Sequence, residues 1–352
     1  MKISSKKIGC FSDIHIGLGQ DGKQWHDIAL KFAKWASEKY KELGIDEIII
    51  PGDIFHNRSE INVATLATAK QFFDYFKDFT VYISSGNHDC FYKNNSTVNS
   101  ISILSGWNNI LIIDKECVVL KTPYKDIVMV PWGVEYDQIP KTDGIIFGHF
   151  EISSFYMNSY KVCEHGMESK QLFKKSPMII SGHFHKKDDR KYDKGRIVYL
   201  GSPYQHNFGD TGDSRGIYVL DLEKTELQFI ENNISPKHLK LSTKAFVENP
   251  ESIKSELLKE QLKNNIVSLI IDTEIDQEKL ALLTSKLQII EPLSIRTDFI
   301  TDNTGIETLD NTKEIDSGNL IKDMEDFVNN LTIENKQEVI DYLTESYNLL
   351  SK

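Results

Sequence analysis

Over the first 110 residues, short apolar runs alternate with longer stretches of helical period. Residues 7–14 predict a strand. In residues 24–43, Trp25, Ile28, Ala29, Phe32, Trp35, Ala36, Tyr40 and Leu43 recur at helical spacing, and Gly44 is the stop. Residues 47–50, ending at Pro51-Gly52, read as a buried parallel strand. Residues 63–76 predict a second helix and residues 81–84 a third strand. Such alternation predicts α/β layers. Beyond Ile110 the pattern changes to short strands at 110–113, 117–120, 127–130, 144–147, 178–181, 197–200 and 217–220. Two packed sheets with helices outside accommodate this number of strands.

Residues 236–300 read as a separate small α+β module: strands at 238–242, 266–271 and 289–296, helices at 250–262 and 277–287. Residues 301–317 are polar and aperiodic, which predicts a linker. The tail, 318–352, predicts two amphipathic helices, with Leu320, Met324, Phe327 and Leu331 on one face and Ile340 and Leu343 on the next. The expected organisation is therefore 1–235, 236–300, the linker and the tail.

Composition narrows the class. The 352 residues are 40% hydrophobic and 26% charged, which excludes a disordered or collagen-like chain. No apolar run approaches the roughly 20 residues of a membrane span. The N-terminus lacks the apolar segment of a signal peptide. A cytoplasmic protein with no membrane partner is expected. Cys10, Cys90, Cys117 and Cys163 are far apart and read as reduced thiols rather than a zinc site. The net charge is −11, and residues 236–352 hold most of it, with 13 Lys/Arg against 22 Asp/Glu. Whole-chain acidity argues against nucleic acid, yet bound cations can reverse the field at a site.

Five short motifs fall at or just after predicted strand ends: Asp13-Ile14-His15, Gly52-Asp53, Gly86-Asn87-His88-Asp89, Gly148-His149 and Gly182-His183-Phe184-His185. In open α/β sheets, functional groups gather at the carboxyl ends of strands. Asp13 and His15 are two apart, so an extended backbone would point both the same way, and His183 and His185 repeat that spacing. Asp53, with two oxygens, can bridge two cations. The set is too large for one zinc ion, and its mixed carboxylate, imidazole and carboxamide donors suit two borderline-hard cations such as manganese or iron.

The order of these motifs resembles the calcineurin-like metallophosphoesterase superfamily, whose pattern D-x-H, G-D, G-N-H-D, G-H, G-H-x-H is matched in full within residues 7–221. Gly52-Asp53-Ile54-Phe55-His56-Asn57-Arg58 resembles the second motif of SbcD-type DNA repair nucleases. Gly201-Ser202-Pro203-Tyr204, with Phe208-Gly209-Asp210 and Arg215-Gly216 behind it, resembles their segment after the last histidine motif. The Pro131-Trp132 pair, His165-Gly166 and the helical tail are most similar to the recombination endonuclease subunit of large tailed phages. That family pairs its nuclease with an SMC-like, Rad50-type ATPase.

The resemblance implies a four-layer α/β/β/α sandwich with a capping module. It implies two Mn2+ ions, with Mg2+ or Fe2+ as substitutes. Asp13, His15, Asp53 and His185 would hold one, and Asp53, Asn87, His149 and His183 the other. His88 would be the general acid with Asp89 orienting its ring, and His56 would sit near the site. Two divalent ions about 3.5–4 Å apart clamp a phosphodiester and activate water. The implied activities are exonuclease on duplex DNA and endonuclease on single strands. The implied setting is a homodimer working with the ATPase in double-strand break processing and recombination, in the host cytoplasm for a viral protein. The tail face would bind the ATPase.

Lys93, Lys186, Lys187, Arg190, Lys191 and Arg196 would contact DNA if they line the groove, although Asp188, Asp189 and Asp193 interleave with them and make a solvated loop the default. His165 and His206 read as loop residues rather than ligands. A phosphoesterase acting on a small phosphodiester or phosphoprotein would use the same ligands. A catalytically dead DNA-end scaffold would not need so complete a set.

Overall fold

The computed structural model describes residues 2–92, 95–157, 161–299, 328, 336, 337 and 339–342. The chain divides into two compact units, Met1–Phe299 and Ile300–Lys352. The expected linker, Lys93, and Leu320, Met324, Phe327, Leu331 and Leu343 of the tail lie outside the described residues. In the second unit the described residues are helical, and Ile340 is buried. Among the described residues, no helix is long and apolar enough to cross a membrane.

Fifteen described strands order the first unit: β1 (Lys7–Cys10), β2 (Glu47–Pro51), β3 (Thr80–Ser84), β4 (Ile110–Ile113), β5 (Val118–Leu120), β6 (Ile127–Val130), β7 (Ile145–His149), β8 (Met178–Gly182), β9 (Asp188–Tyr192), β10 (Gly195–Tyr199), β11 (Gly216–Asp221), β12 (Glu226–Glu231), β13 (His238–Ser242), β14 (Ile266–Ile271) and β15 (Ser294–Phe299). They form a six-stranded sheet β12-β11-β1-β2-β3-β4, a second one β5-β6-β7-β8-β10-β9, and a three-stranded sheet β13-β14-β15. Strands β1 to β4 run parallel, as do β6, β7, β8 and β10. Their carboxyl ends therefore share an edge in each sheet.

The two large sheets pack face to face. Cys10, Ile49, Tyr82, Met129, Phe147 and Ile180 fill the space between them. Every residue of β2 and of β7 is buried, as expected for central parallel strands. Outside the first sheet lie α1 (Lys23–Glu42) and α2 (Val63–Asp74). The stripe Ile28, Ala29, Phe32, Ala36 and Tyr40 of α1 packs with Phe72 and Phe73 of α2 onto that sheet. Asn62 caps α2, its side chain accepting the Thr65 amide at 2.8 Å. Gly44, with φ +64°, ends the chain's run beyond α1, where the backbone turns left-handed. The outer face of the second sheet is covered by Phe150, Ile152, Phe155 and Leu172, drawn from loops and from a single turn of helix, α3 (Ser169–Leu172). The result is a mixed α/β fold of four layers, the fourth of them thin.

The third sheet carries α4 (Thr243–Glu248), α5 (Glu256–Leu262) and α6 (Gln277–Gln288) and has its own core of Phe246, Leu262, Val267, Leu269 and Leu287. The helix expected over 250–262 is broken: Pro250–Lys254 is a 3-10 turn, and α5 starts after Ser255. The strand expected at 289–296 begins later, because Ile289 and Ile290 complete the end of α6. Strands β9 and β12 were not expected. Both lie at sheet edges; β9 is polar and charged and gives no apolar alternation to read, whereas β12 does alternate, with Leu227 and Phe229 turned to the core between Glu226 and Gln228.

Candidate metal centre

The expected site residues converge where the carboxyl ends of the two sheets meet. Asp13 and His15 follow β1, Asp53 follows β2, and Asn87 and His88 follow β3. His149 ends β7, and His183 and His185 follow β8. The junction is tight. The imidazole Nδ1 of His149 donates to the Pro51 carbonyl at 2.8 Å, and the Ser12 hydroxyl donates to the same oxygen at 3.1 Å. A Cβ on Gly182 would lie 2.2 Å from the Ser12 hydroxyl and 2.7 Å from the Pro51 oxygen, so only glycine lets the sheets meet here.

Asp53 lies between two donor groups. Its Oδ2 is 3.4 Å from Nε2 of His15 on one side and 3.2 Å from Nε2 of His149 on the other. Around His149, the Asn87 carboxamide oxygen is 3.0 Å from His149 Nε2 and 3.0 Å from His183 Nδ1. Around His15, Nε2 of His185 is 3.0 Å away. Two atoms each bonded at 2.0–2.2 Å to one ion at near-right angles stand about 3 Å apart. These spacings are therefore those of ligands grouped for a cation. Asp13, His15 and Asp53 form one cluster suited to a metal ion. Asp13 Oδ1 accepts the His183 amide at 2.9 Å, while its Oδ2 is buried with no hydrogen-bond partner. An orphaned carboxylate oxygen beside converging imidazoles fits a divalent ion.

The local backbone differs from the extended geometry expected of the D-x-H and H-x-H motifs. Asp13 (φ +57°), His15 (φ +51°), Asp53 (φ +56°) and His183 (φ +92°) are left-handed. The side chains converge through strained turns rather than through strand alternation. Such strain gathers at functional sites, held by the surrounding structure.

Charge follows from burial. Burial pushes the Asp13 carboxyl up to about 7. Burial also opposes ionisation of Asp53, but His149, His88 and His183 around it outweigh that and lower its pKa. His149 is desolvated, yet the Asp53 carboxylate raises its pKa to about 9. His183 falls to about 3 and His185 to about 4, both chiefly through burial, and His15 is lowered well below its usual range. These imidazoles are neutral at physiological pH and offer lone pairs. Asp13, His15, Asp53 and His149 form the buried floor, with Asn87, His88, His183 and His185 half-buried above them.

One expected role changes. The Asp89 carboxylate does not reach the His88 ring. It accepts the amides of Gly86 at 2.9 Å, Asp53 at 2.8 Å, Ile54 at 2.9 Å and Phe55 at 3.1 Å, so it fixes the turns that carry Asp53 and Asn87. The His88 ring is held instead by the His56 carbonyl, 2.7 Å from its Nδ1. The His56 ring stacks on that of His88 and brings its Nδ1 to 3.4 Å from Nδ1 of His15. Trp132 packs its ring against His149 and His183.

The basic segment is a hairpin rather than a loop. Arg190 is paired with Asp188 and lies over Phe155, and Arg196 forms a bidentate pair with Asp189. Lys187 lies over the Phe229 ring and Lys186 over Tyr156, while Lys191 is exposed. Two of the expected DNA contacts are thus committed to aspartates of their own hairpin. His165 is an exposed loop residue, as expected.

Asp210 and Arg215, from the segment singled out by its resemblance, build a supporting network that residue spacing does not reveal. Arg215 is buried, pairs with Asp210 at 2.6 Å, and donates to the His185 carbonyl and to the Ser202 hydroxyl. Asp210 in turn accepts the His206 amide at 2.8 Å. His206 itself is buried beside His15 and His185. No motif spacing marks it, which is why it reads as a loop residue in sequence.

Comparison with known proteins gives several similarities. Exonuclease subunit 1 of Enterobacteria phage T4 is 29% identical over 362 residues, which cover 97% of this chain and 98% of that protein. Among solved structures, an archaeal phosphodiesterase is 15% identical, over 64% of this chain and 99% of its own, with a TM-score of 0.37. A dimetal phosphatase from Danio rerio is 12% identical, over 64% and 95%, with a TM-score of 0.40. The profile of the calcineurin-like phosphoesterases matches residues 6–187, more than half of the chain. That family builds its chemistry on a dimetal centre, for which the donors around Asp53 are suited, and this chain belongs to it.

Proposed function

We propose that the protein is the nuclease subunit of a DNA-processing complex, cleaving phosphodiester bonds with two Mn2+ ions. The observation that carries this is the bridging position of Asp53 between two imidazole groups, in a chain similar over 97% of its length to a phage exonuclease subunit. Asp13, His15, Asp53 and His185 would hold one ion, and Asp53, Asn87, His149 and His183 the other. Bound there, two divalent ions would supply the charge that clamps a scissile phosphate and would lower the pKa of the attacking water. The imidazoles and Asn87 would position the ions that hold the phosphate, and much of the catalysis in phosphoryl transfer is positioning and charge.

His88 acts as general acid. With Nδ1–H donated to the His56 carbonyl, its Nε2 is the atom that delivers a proton to the leaving oxygen. Residues 236–300 shape access for DNA. Residues 318–352 dock on an SMC-like ATPase, and the nuclease pairs into a homodimer. Lys186, Lys187 and Lys191 are the basic groups offered to the duplex backbone.

The test is a cleavage assay on end-labelled duplex and single-stranded DNA with Mn2+, with Mg2+ and with chelator, alongside a chromogenic phosphodiester. Mn2+-dependent shortening of DNA, absent in Asp53→Asn, supports the reading. Hydrolysis of the small ester with DNA intact, even with the ATPase added, overturns the nuclease and leaves a small-substrate phosphoesterase.

A further inference from the structure

His206 sits in the segment between β10 and β11 and is about nineteen-twentieths buried. Among the described residues neither of its ring nitrogens has a hydrogen-bond partner. Its ring centroid is 5.2 Å from that of His15 and 4.8 Å from that of His185, both edge-on. The three side chains can each offer one nitrogen such that all three lie within 4.8 Å of one another. Leaving a buried polar group without a hydrogen bond is costly, and Phe would fill the space without that cost. The ring contact with Tyr204 accounts for packing but gives neither nitrogen a partner.

The placement is also built. Asp210 Oδ2 accepts the His206 amide, Arg215 ties Asp210 to the His185 carbonyl, and the Tyr204 hydroxyl donates to the Ile14 carbonyl one residue before His15. One buried ion pair thus fixes His185 and His206 together. Gln205, next in the chain, accepts the amide of His238 on β13 at 2.6 Å and holds the segment from its other side.

We propose that His206 is a further ligand of the metal centre, giving the ion at His15 and His185 a third imidazole nitrogen. The assignment rests on the two-metal reading above. Three nitrogens favour borderline divalent ions such as Mn2+, Fe2+, Co2+ or Zn2+ over Mg2+, whose preference is for oxygen. The residue therefore sets which cation the centre selects.

The experiment is a Mn2+ titration of chelator-stripped protein, with free Mn2+ counted by its paramagnetic resonance signal, on wild type, His206→Phe and His206→Gln. Thermal unfolding of each is followed in chelator. Wild type is expected to bind two ions. His206→Phe is expected to weaken one of them at least tenfold and leave the other unchanged, while its melting temperature in chelator stays at or above that of wild type. His206→Gln, which returns a neutral donor, should recover part of the loss. Two wild-type affinities in both variants would overturn the role of His206 and leave the two-metal centre standing. Weakened Mn2+ binding matched by a fall in stability in chelator would make His206 a packing residue and overturn its role as a ligand. A wild-type protein that takes up no Mn2+ would remove the centre itself.

Discussion

The main-chain oxygen of His56 lies 2.7 Å from Nδ1 of His88, and because a carbonyl can only accept, it fixes the proton on that nitrogen. The other nitrogen, Nε2, is left to exchange protons with whatever reaches the half-buried face of the site. His88→Ser should lower cleavage of DNA by about 10²–10⁴-fold, the usual worth of a general acid. Mn2+ binding should be unchanged. The loss should shrink for a phosphodiester with a nitrophenolate leaving group, which needs no proton. Equal losses on both substrates would exclude the role.

Asp89 accepts four amides, two on each oxygen. Asparagine can serve only one of these pairs and turns an NH2 toward the other. Asp89→Asn should therefore cost roughly 2–6 kcal/mol, from two buried amides each left unpaired at about 1–3 kcal/mol. Denaturant unfolding in chelator reads it directly. A variant as stable as wild type would show that the four amides find other partners.

Proton release should accompany metal uptake. Free of ions, His149 holds its proton up to about pH 9, above the ordinary 6.5, because of Asp53, and Asp13 holds its own to about 7, above the ordinary 3.8. A ligand must be deprotonated to bind, so Mn2+ affinity should rise with pH through this window. The ion-free protein should behave in the opposite sense. A group whose pKa is raised by folding stabilises the fold while it is protonated, and that stability is lost as pH climbs to the folded pKa. The melting temperature in chelator should accordingly fall between pH 7 and 9, where His149 is the centre's titrating group, and Mn2+ should restore it. Calorimetry in buffers of different ionisation enthalpy would count the protons.

Gly86 touches the Asp53 carboxylate. A Cβ there would lie 2.2 Å from Asp53 Oδ1 and 2.5 Å from its amide nitrogen. Gly86→Ala should destabilise by about 1–3 kcal/mol, as overpacking does. On the two-metal reading proposed above it should also weaken both ions, since Asp53 would be shared. Gly106, with open space around its Cβ position, is the control, and Gly106→Ala should change neither.

The buried strands and the convergence of the seven candidate donors were legible because each leaves a pattern. Four consecutive apolar residues before Pro51-Gly52 announce a central strand, and the histidines and carboxylates stand in short motifs beside glycine. What stayed hidden depends on pairing across long separations. Arg215 meets Asp210 and His185 only after β10 and β11 have been placed in different sheets. His206 has no partner at ligand spacing in sequence, although it lies 5.2 Å from His15, ring to ring. The left-handed turns at Asp13, His15 and His183 were unreadable for another reason: no glycine or asparagine stands at those positions to advertise them. Asp89, adjacent to His88 in sequence, was assigned to its neighbour's ring, whereas its oxygens turn back to the Gly52–Phe55 segment.

Neither large sheet owns the centre. Asp13, Asp53 and Asn87 arrive from the first, and His149, His183 and His185 from the second, with Ile49 and Phe147 packed in the layer between them. Cation affinity in such an arrangement is a strain gauge on the seam. A methyl group lost deep between the sheets, far from any donor atom, would tilt one half-set of candidate donors against the other, so cation binding would report how well the two halves of the body are seated.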